Sequence, residues 1–136
     1  MKTALTAMAT LGGCAAARWY LDRAARRETE VHGVRLRTLW NEGAAFGLPL
    51  PEGMLTLAPA AALGAFWARR KRAPIGTGLI LGGGLSNLLE RARHGRVYDY
   101  VQFPRAPGPL KRYVFNLADF AILAGGVILL ARDRKP

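Results

Sequence analysis

The sequence predicts an α-helical membrane protein with four transmembrane helices and short β-strands at its outer surface. Its hydrophobic residues, 51% of the total, gather in four blocks at approximately residues 3–21, 48–68, 75–90 and 114–131. A helix of roughly 20 residues crosses about 30 Å of hydrocarbon, and most of the blocks approach that length. Basic clusters separate the blocks, and two segments in which apolar and polar residues alternate lie between them.

The distribution of charge favours a membrane and argues against a nucleic-acid partner. The formal net charge of +11 would, on its own, suit a nucleic-acid-binding protein. The basic residues, however, stand just outside the apolar blocks, at Lys2, at 69–72 and at 132–135. The positive-inside rule makes these places cytoplasmic, so four crossings leave both termini in the cytoplasm. The chain, 1–136, is short enough that we expect a single domain.

Cys14 is the single cysteine, which excludes an internal disulfide and a cysteine-rich metal site. Two interpretations of it stay open. Met1–Cys14 combines Lys2, an apolar core and L-G-G-C, which is the form of a short lipoprotein signal with a lipid-accepting cysteine. Alternatively, Cys14 is a small residue within the first helix. The second interpretation is favoured because the apolar run continues to Leu21.

The chain after the first block predicts a helix end, a strand and a turn. Asp22 and Arg26 are four apart, so they can pair on one face of a continuing helix. Val34–Trp40 alternates apolar and basic residues, as a half-exposed strand does. Asn41–Gly43 follows directly and favours a tight turn. Asn41 is then either a turn or cap residue or an amide that contacts substrate.

The third block predicts a helix that packs closely against a neighbour. Gly78, Gly82 and Ser86 are spaced by four, which places small residues along one helical face. Asn87 and Arg91 are also four apart, so they project together near the outer end of the helix.

A second strand is predicted around Asp99. Alternate residues from Val97 to Phe103 lie on one side of it, and Asp99 is among them, so its carboxylate faces inward. His94 is the histidine near this segment. No second ligand accompanies it in the sequence, so no metal site is expected.

Asp119 lies within the fourth apolar block, where a carboxylate is costly unless it is paired, hydrated or protonated. We expect Asp99 to meet it, because the intervening strand and loop are long enough to return the chain. Two carboxylates at about 3 Å tend to share one proton. Such a pair can activate a water against a peptide carbonyl, with Asn87, Arg91 and Asn116 as candidate donors to the substrate or the oxyanion. The alternative is that each aspartate caps a helix or pairs with an arginine.

Four segments, in order and spacing, resemble the signature blocks of lipoprotein signal peptidase, also called signal peptidase II. They are L-D-R-A-A-R at Leu21–Arg26, N-E-G-A-A-F at Asn41–Phe46, S-N-L-L-E-R-A-R-H-G-R-V-Y-D at Ser86–Asp99 and F-N-L-A-D at Phe115–Asp119. Together they run from the first predicted span to the last. The sequence departs from the family pattern at Arg26 (usually lysine), Gly47 (serine), Ser86 (glycine) and Glu90 (aspartate).

The resemblance implies an aspartic endopeptidase of the bacterial inner membrane, with four spans and a small extracytoplasmic β-cradle that places the active site near the outer face. Such enzymes remove the signal peptide of a prolipoprotein just before a diacylglyceryl-modified cysteine. The catalytic dyad then falls on Asp99 and Asp119, and the supporting residues on Asp22, Arg26, Asn41, Gly43, Asn87, Arg91 and Asn116.

The expected partners are diacylglyceryl-modified prolipoproteins and membrane lipids. We expect a monomer, and we expect no cofactor, no metal and no nucleic acid. A competing hypothesis is a non-catalytic membrane protein of the same fold that binds lipidated peptides.

Overall fold

The computed structural model describes residues 1–43, 51–68 and 70–133. These residues form α1 (Lys2–Arg26), β1 (Glu30–Val31), β2 (Val34–Asn41), α2 (Glu52–Ala68), α3 (Pro74–His94), β3 (Val97–Gln102), a 3-10 helix (Gly108–Arg112), β4 (Val114–Phe115) and α4 (Leu117–Asp133). Several features of the sequence lie outside the described residues. They are the end of the N-E-G-A-A-F block, the departure at Gly47, the start of the second predicted span and the basic residues Arg69, Arg134 and Lys135.

The prediction of four transmembrane helices is wrong. Across the described ranges, each helix is either too short or too polar to cross a membrane. α2 and α4 have 17 residues each, fewer than the roughly 20 that a crossing needs. α1 and α3 have 25 and 21 residues, but they are rich in small residues and both end in charged ones. The fourth predicted span also begins with a strand, because Val114 and Phe115 form β4.

α1 runs without a break through the segment that has the form of a lipoprotein signal. Cys14 lies in the middle of this helix and is 5% exposed. Ala25, near the other end of the helix, is fully buried against the sheet. The structure therefore supports the interpretation of Cys14 as a small residue within a packed helix.

α3 lies between the other three helices, and its glycines make the closest approaches. A Cβ atom on Gly82 would lie 2.5 Å from the carbonyl oxygen of Ala7 in α1. On Gly83 it would lie 2.7 Å from a backbone carbonyl oxygen of α4, and on Gly84 it would lie 2.6 Å from a leucine side chain of α2. Side chains at these positions would push the helices apart. The predicted close packing along Gly78 and Gly82 is confirmed.

The four strands form one antiparallel sheet in the order β1-β2-β3-β4. The predicted strands at 34–40 and 97–103 are confirmed as β2 and β3. His32 and Gly33 connect β1 to β2 with φ values of 50° and 82°, as a two-residue hairpin turn requires. Gly95 ends α3 in the left-handed conformation, and its N–H donates to the carbonyl oxygen of Arg91 at 2.8 Å. This cap turns the chain directly from α3 into β3.

β3 is buried on both faces. Tyr98 and Tyr100 pack with Ala25 of α1 on one face. Asp99 is 3% exposed and lies on the other face, where it meets Asn116. The predicted inward orientation of Asp99 is confirmed.

Gly125 and Gly126 of α4 provide a matched test of this packing. A Cβ atom on Gly125 would lie 2.5 Å from the carbonyl oxygen of Gly76 in α3, and on Gly126 it would meet no atom within 4 Å. We expect Gly125→Ala to lower the free energy of unfolding by about 1–3 kcal/mol, because the backbones of α3 and α4 must move apart to admit the added methyl group. Gly126→Ala should raise it by up to about 1 kcal/mol, since alanine favours a helix. Denaturant unfolding measures both, and equal effects would contradict the close α3–α4 contact.

Candidate active site

Asp119 lies in the first turn of α4, where it forms a reciprocal cap with Asn116. The side-chain oxygen of Asn116 accepts from the N–H of Asp119 at 3.1 Å, and Oδ2 of Asp119 accepts from the N–H of Asn116 at 2.9 Å. This capping box satisfies two amide donors that the start of a helix leaves free. The alternative that Asp119 caps a helix is therefore confirmed. Its expected place within an apolar span is corrected to a helix N-terminus, a location that suits a carboxylate.

The side-chain amide of Asn116 joins the remaining polar groups. Its Nδ2 donates to Oδ1 of Asp99 at 2.9 Å and to Oδ1 of Asn87 at 3.0 Å. Asn87 in turn donates to Oδ1 of Asp119 at 3.2 Å. Both carboxyl groups thus bind to Asn116, one through its side chain and one through its backbone.

The second oxygen of Asp99 binds Asn41, the last residue of β2. Nδ2 of Asn41 donates to Oδ2 of Asp99 at 3.2 Å, while Oδ1 of Asn41 accepts from the N–H of Gly43 at 2.9 Å. Asn41 therefore holds a turn and a carboxylate at once. Arg91 supports the same turn, because its Nη2 donates to the carbonyl oxygen of Gly43 at 2.9 Å and its Nη1 to that of Leu55 at 3.3 Å.

Burial dominates the electrostatics of Asp99. Desolvation, followed by the nearby Asp119 carboxylate, raises the pKa of Asp99 to about 7 from an ordinary value of 3.8. The hydrogen bonds from Asn41 and Asn116 oppose this rise, because they favour the ionised form. Asp99 therefore keeps its proton well above the pH at which an exposed aspartate loses it.

Asp22 and Arg26 lie on the other face of β3, away from the two carboxyl groups. They form the predicted ion pair at 2.9 Å. Asp22 also accepts from the hydroxyl of Tyr98 at 2.7 Å, so it contacts the strand one residue before Asp99. Arg18 lies one helical turn earlier on α1, and this spacing of four is a signal in the sequence that points to it.

Arg18, Tyr98 and Tyr100 support the site, although the sequence did not single them out. Arg18 forms an ion pair with Glu90, and the other oxygen of Glu90 accepts from the N–H of Tyr98 at 2.8 Å. The hydroxyl of Tyr100 accepts from the N–H of Leu117 at 3.1 Å, at the start of α4. Glu90, a departure from the family pattern, thus fixes the strand that carries Asp99.

The structure brings most of the predicted residues together. Those in direct contact are Asn41, Asn87, Asp99, Asn116 and Asp119. Gly43 and Arg91 are connected to this group through Asn41. Among the described residues, Asp22 and Arg26 are connected to it through Tyr98 of β3.

Sequence comparisons connect this geometry with known proteins. Residues 8–133 match the family described as Signal peptidase (SPase) II. The chain is 38% identical over 108 residues to the lipoprotein signal peptidase of Methylorubrum extorquens (strain PA1), which covers 72% of this chain and 62% of that protein. It is 39% identical over 118 residues to the lipoprotein signal peptidase of Syntrophomonas wolfei subsp. wolfei (strain DSM 2245B / Goettingen), which covers 82% of this chain and 74% of that protein. The chain thus spans less than two thirds of the length of the first of these relatives.

The fold is also similar to that of a solved protein. A structure described as a bacterial membrane enzyme, obtained by the in meso method at 1.9 Å resolution, aligns with a TM-score of 0.76 and 18% identity. The alignment covers 98% of this chain and 92% of that one, and at this identity it shows the shared fold. Given the family match over 8–133 and relatives that are 38% and 39% identical, the chain belongs to the signal peptidase II family, as its four sequence blocks predicted.

Proposed function

We propose that the chain is an aspartic endopeptidase that removes signal peptides from prolipoproteins, immediately N-terminal to a diacylglyceryl-modified cysteine. The observation that carries this proposal is the attachment of Asp99 and Asp119 to the same residue, Asn116. Two carboxyl groups held in this way form a general acid–base pair. Membership of the signal peptidase II family supports the substrate class.

The proposed reaction begins with one proton on the pair. Burial raises the pKa of both acids, that of Asp99 to about 7. We assign the proton to Asp99, because it is buried whereas Asp119 is half-buried and accepts hydrogen bonds from the N–H of Asn116 and from Asn87. Ionised Asp119 takes a proton from a water, the water oxygen attacks the scissile carbonyl carbon, and the proton of Asp99 passes to the carbonyl oxygen. The resulting diol collapses when Asp119 returns its proton to the amide nitrogen and Asp99 recovers one from a hydroxyl. The C–N bond breaks, which leaves a carboxyl group on the signal peptide and a free amino group on the cysteine.

The other site residues hold the acids and the substrate in this proposal. Asn41, Asn87 and Asn116 orient the carboxyl groups, which fixes the acids before substrate arrives. Arg91 is the candidate to position the substrate through the turn after Asn41, since its Nη2 donates to the carbonyl oxygen of Gly43. Asp22, with Arg26 beside it, acts at a distance by fixing Tyr98, the neighbour of Asp99.

We also propose that the enzyme works as a monomer at the outer face of the bacterial cytoplasmic membrane, where it meets lipid-modified substrates and membrane lipids. The support is the bacterial origin of its relatives and the description of a structural neighbour as a bacterial membrane enzyme. The two acids alone complete the proposed chemistry, so no cofactor is needed.

Replacing either acid of the pair should abolish cleavage. We expect Asp99→Asn and Asp119→Asn each to lower the rate of prolipoprotein cleavage by roughly 10³-fold, because an amide can neither accept nor deliver the required proton. Glu28→Gln, at an exposed acid in a turn, is the matched control and should cleave like wild type. A gel-mobility assay with a diacylglyceryl-modified prolipoprotein measures all three. Normal cleavage by either aspartate variant would refute the mechanism, and wild-type binding without cleavage would favour a non-catalytic binding protein.

Substitutions at Asn116 should separate two of its roles, as the cap of α4 and as the amide that connects Asp99 to Asn87. Serine can cap α4 but has one hydroxyl proton, whereas the amide of Asn116 donates to two partners. We expect Asn116→Ser and Asn116→Ala to lower cleavage by similar factors, roughly tenfold or more. Asn116→Ser should be the more stable variant by about 1 kcal/mol. Cleavage kinetics measure the first effect and denaturant unfolding the second. Near-normal cleavage by the serine variant would show that the connection from Asn116 to Asp99 and Asn87 is dispensable.

The raised pKa of Asp99 predicts a characteristic dependence of stability on pH. The unfolded chain releases this proton near pH 3.8 and the folded chain near 7, so the stability provided by neutral Asp99 is complete below about pH 4 and is lost as the pH rises through 7. Asp99→Asn stays neutral throughout. Between pH 5 and 8 the variant should therefore gain stability relative to wild type, by about 3 kcal/mol at most. Thermal unfolding across this range measures the difference, and a constant or falling difference would contradict the raised pKa.

A further inference from the structure

A second concave surface lies between α1 and α3. This groove has a volume of about 830 Å³. None of the described residues that line it hydrogen-bonds to Asp99 or Asp119. The ion pair of Arg18 and Glu90 forms part of its wall and separates it from β3. The groove therefore does not contain the two acids, although Arg18 and Glu90 in its wall also hold the strand that carries Asp99.

One end of the groove is apolar and the other is basic. α1 and α3 run in the same direction, because Gly78 contacts Thr6 and Gly82 contacts Thr10. Leu11 and Ala15 therefore lie toward one end of the lining. The C-terminal turns of both helices lie at the other end and supply the charged residues Arg23, Arg26 and Arg93.

The groove carries an excess of positive charge. Four arginines line it against two acids, Asp22 and Glu90. Each acid already pairs with an arginine, Asp22 with Arg26 and Glu90 with Arg18. Within the described part of the chain, the remaining Arg23 and Arg93 have no acidic partner, and both are exposed. The groove can thus neutralise an added anion.

Aromatic residues stand at the rim of the same groove. Trp19 and Tyr20 are 80% and 77% exposed, although burial of a large ring is favourable in water. Tryptophan and tyrosine are enriched where a polar headgroup layer meets hydrocarbon. Their position beside unpaired arginines is typical of a surface that contacts lipid.

We propose that this groove binds an anionic phospholipid. Its phosphate lies between Arg23 and Arg93, and an acyl chain follows Leu11, Ala15 and Leu89. Arginine binds phosphate oxygens through charge-assisted hydrogen bonds. A small hydrophilic anion leaves the apolar half of the groove uncovered. A zwitterionic lipid such as phosphatidylcholine brings a choline cation together with its phosphate, so it adds no net negative charge to offset Arg23 and Arg93. An anionic lipid satisfies both halves, and Arg23 and Arg93, which bind it, have no role in the proposed cleavage.

Fluorescence energy transfer from tryptophan to a dansyl-labelled lipid tests the proposal on the full chain in neutral detergent micelles. We expect dansyl phosphatidylglycerol to bind roughly tenfold more tightly than dansyl phosphatidylcholine. The double variant Arg23→Gln/Arg93→Gln should lose this preference. Both side chains are exposed, so the variant should fold normally, and its thermal unfolding verifies this.

A charge-matched variant separates a specific site from general attraction to a basic protein. Lys111→Gln/Arg112→Gln removes the same charge from the exposed 3-10 helix, outside the groove, and should keep the lipid preference. Equal losses in the two double variants, or no preference in wild type, would overturn the proposal. Glycerol phosphate should fail to compete at lipid concentrations, because it has no acyl chain. Effective competition would overturn the assignment to a lipid.

Discussion

The site depends on Asn116, which uses every polar group of its side chain and its backbone N–H. The side-chain oxygen caps α4, the side-chain nitrogen binds Asp99 and Asn87, and the backbone N–H binds Asp119. Buried carboxyl groups are costly when they lack partners, and this one residue provides a partner for each. Since the same residue begins the helix and spaces the acids, the geometry of the acids cannot change without disturbing the start of α4.

Close packing of α3 against α4 brings Asn87 of α3 within hydrogen-bonding distance of Asp119. Gly83 allows α3 to approach the backbone carbonyl of Ala118, the residue just before Asp119. Asn87 follows Gly83 by four residues, so it lies on the same face of α3 and reaches Asp119. A larger residue at Gly83 would move α3 away and would lengthen the hydrogen bond from Asn87. The small residues of α3 therefore serve the site as well as the stability of the helix bundle.

The sequence predicted the parts of the site that depend on local pattern. Alternation identified β2 and β3, spacing identified the pair Asp22 and Arg26, and the cost of an acid in an apolar run pointed to Asp119. The four apolar blocks do contain helices, but the prediction that they are spans was wrong, because α2 and α4 are too short and α1 and α3 too polar for a crossing. The start of the fourth block was also wrong, since an apolar run does not reveal its own secondary structure. Phe115 belongs to a strand because it pairs with Val101, a contact that only the folded chain provides.

Other features depend on how whole elements are oriented. Asp22 and Arg26 were expected among the supporting residues, and the rotation of α1 about its axis directs Asp22 to Tyr98, on the face of β3 opposite Asp99. Arg18 was missed because its partner Glu90 lies 72 residues away, and its spacing of four from Asp22 was the local signal that could have indicated it. Interactions of this kind follow from tertiary packing, which periodicity along one helix does not describe.

The two acids have identical side chains but lie on different kinds of secondary structure, so the backbone around each of them has a different electrostatic effect. Asp119 stands at the N-terminal end of α4, where the aligned peptide dipoles produce a partial positive charge that favours an anion. Asp99 sits on β3, and strand dipoles largely cancel one another. In the proposed mechanism, this difference in backbone environment would favour Asp119 as the ionised acid and Asp99 as the protonated one before a substrate arrives.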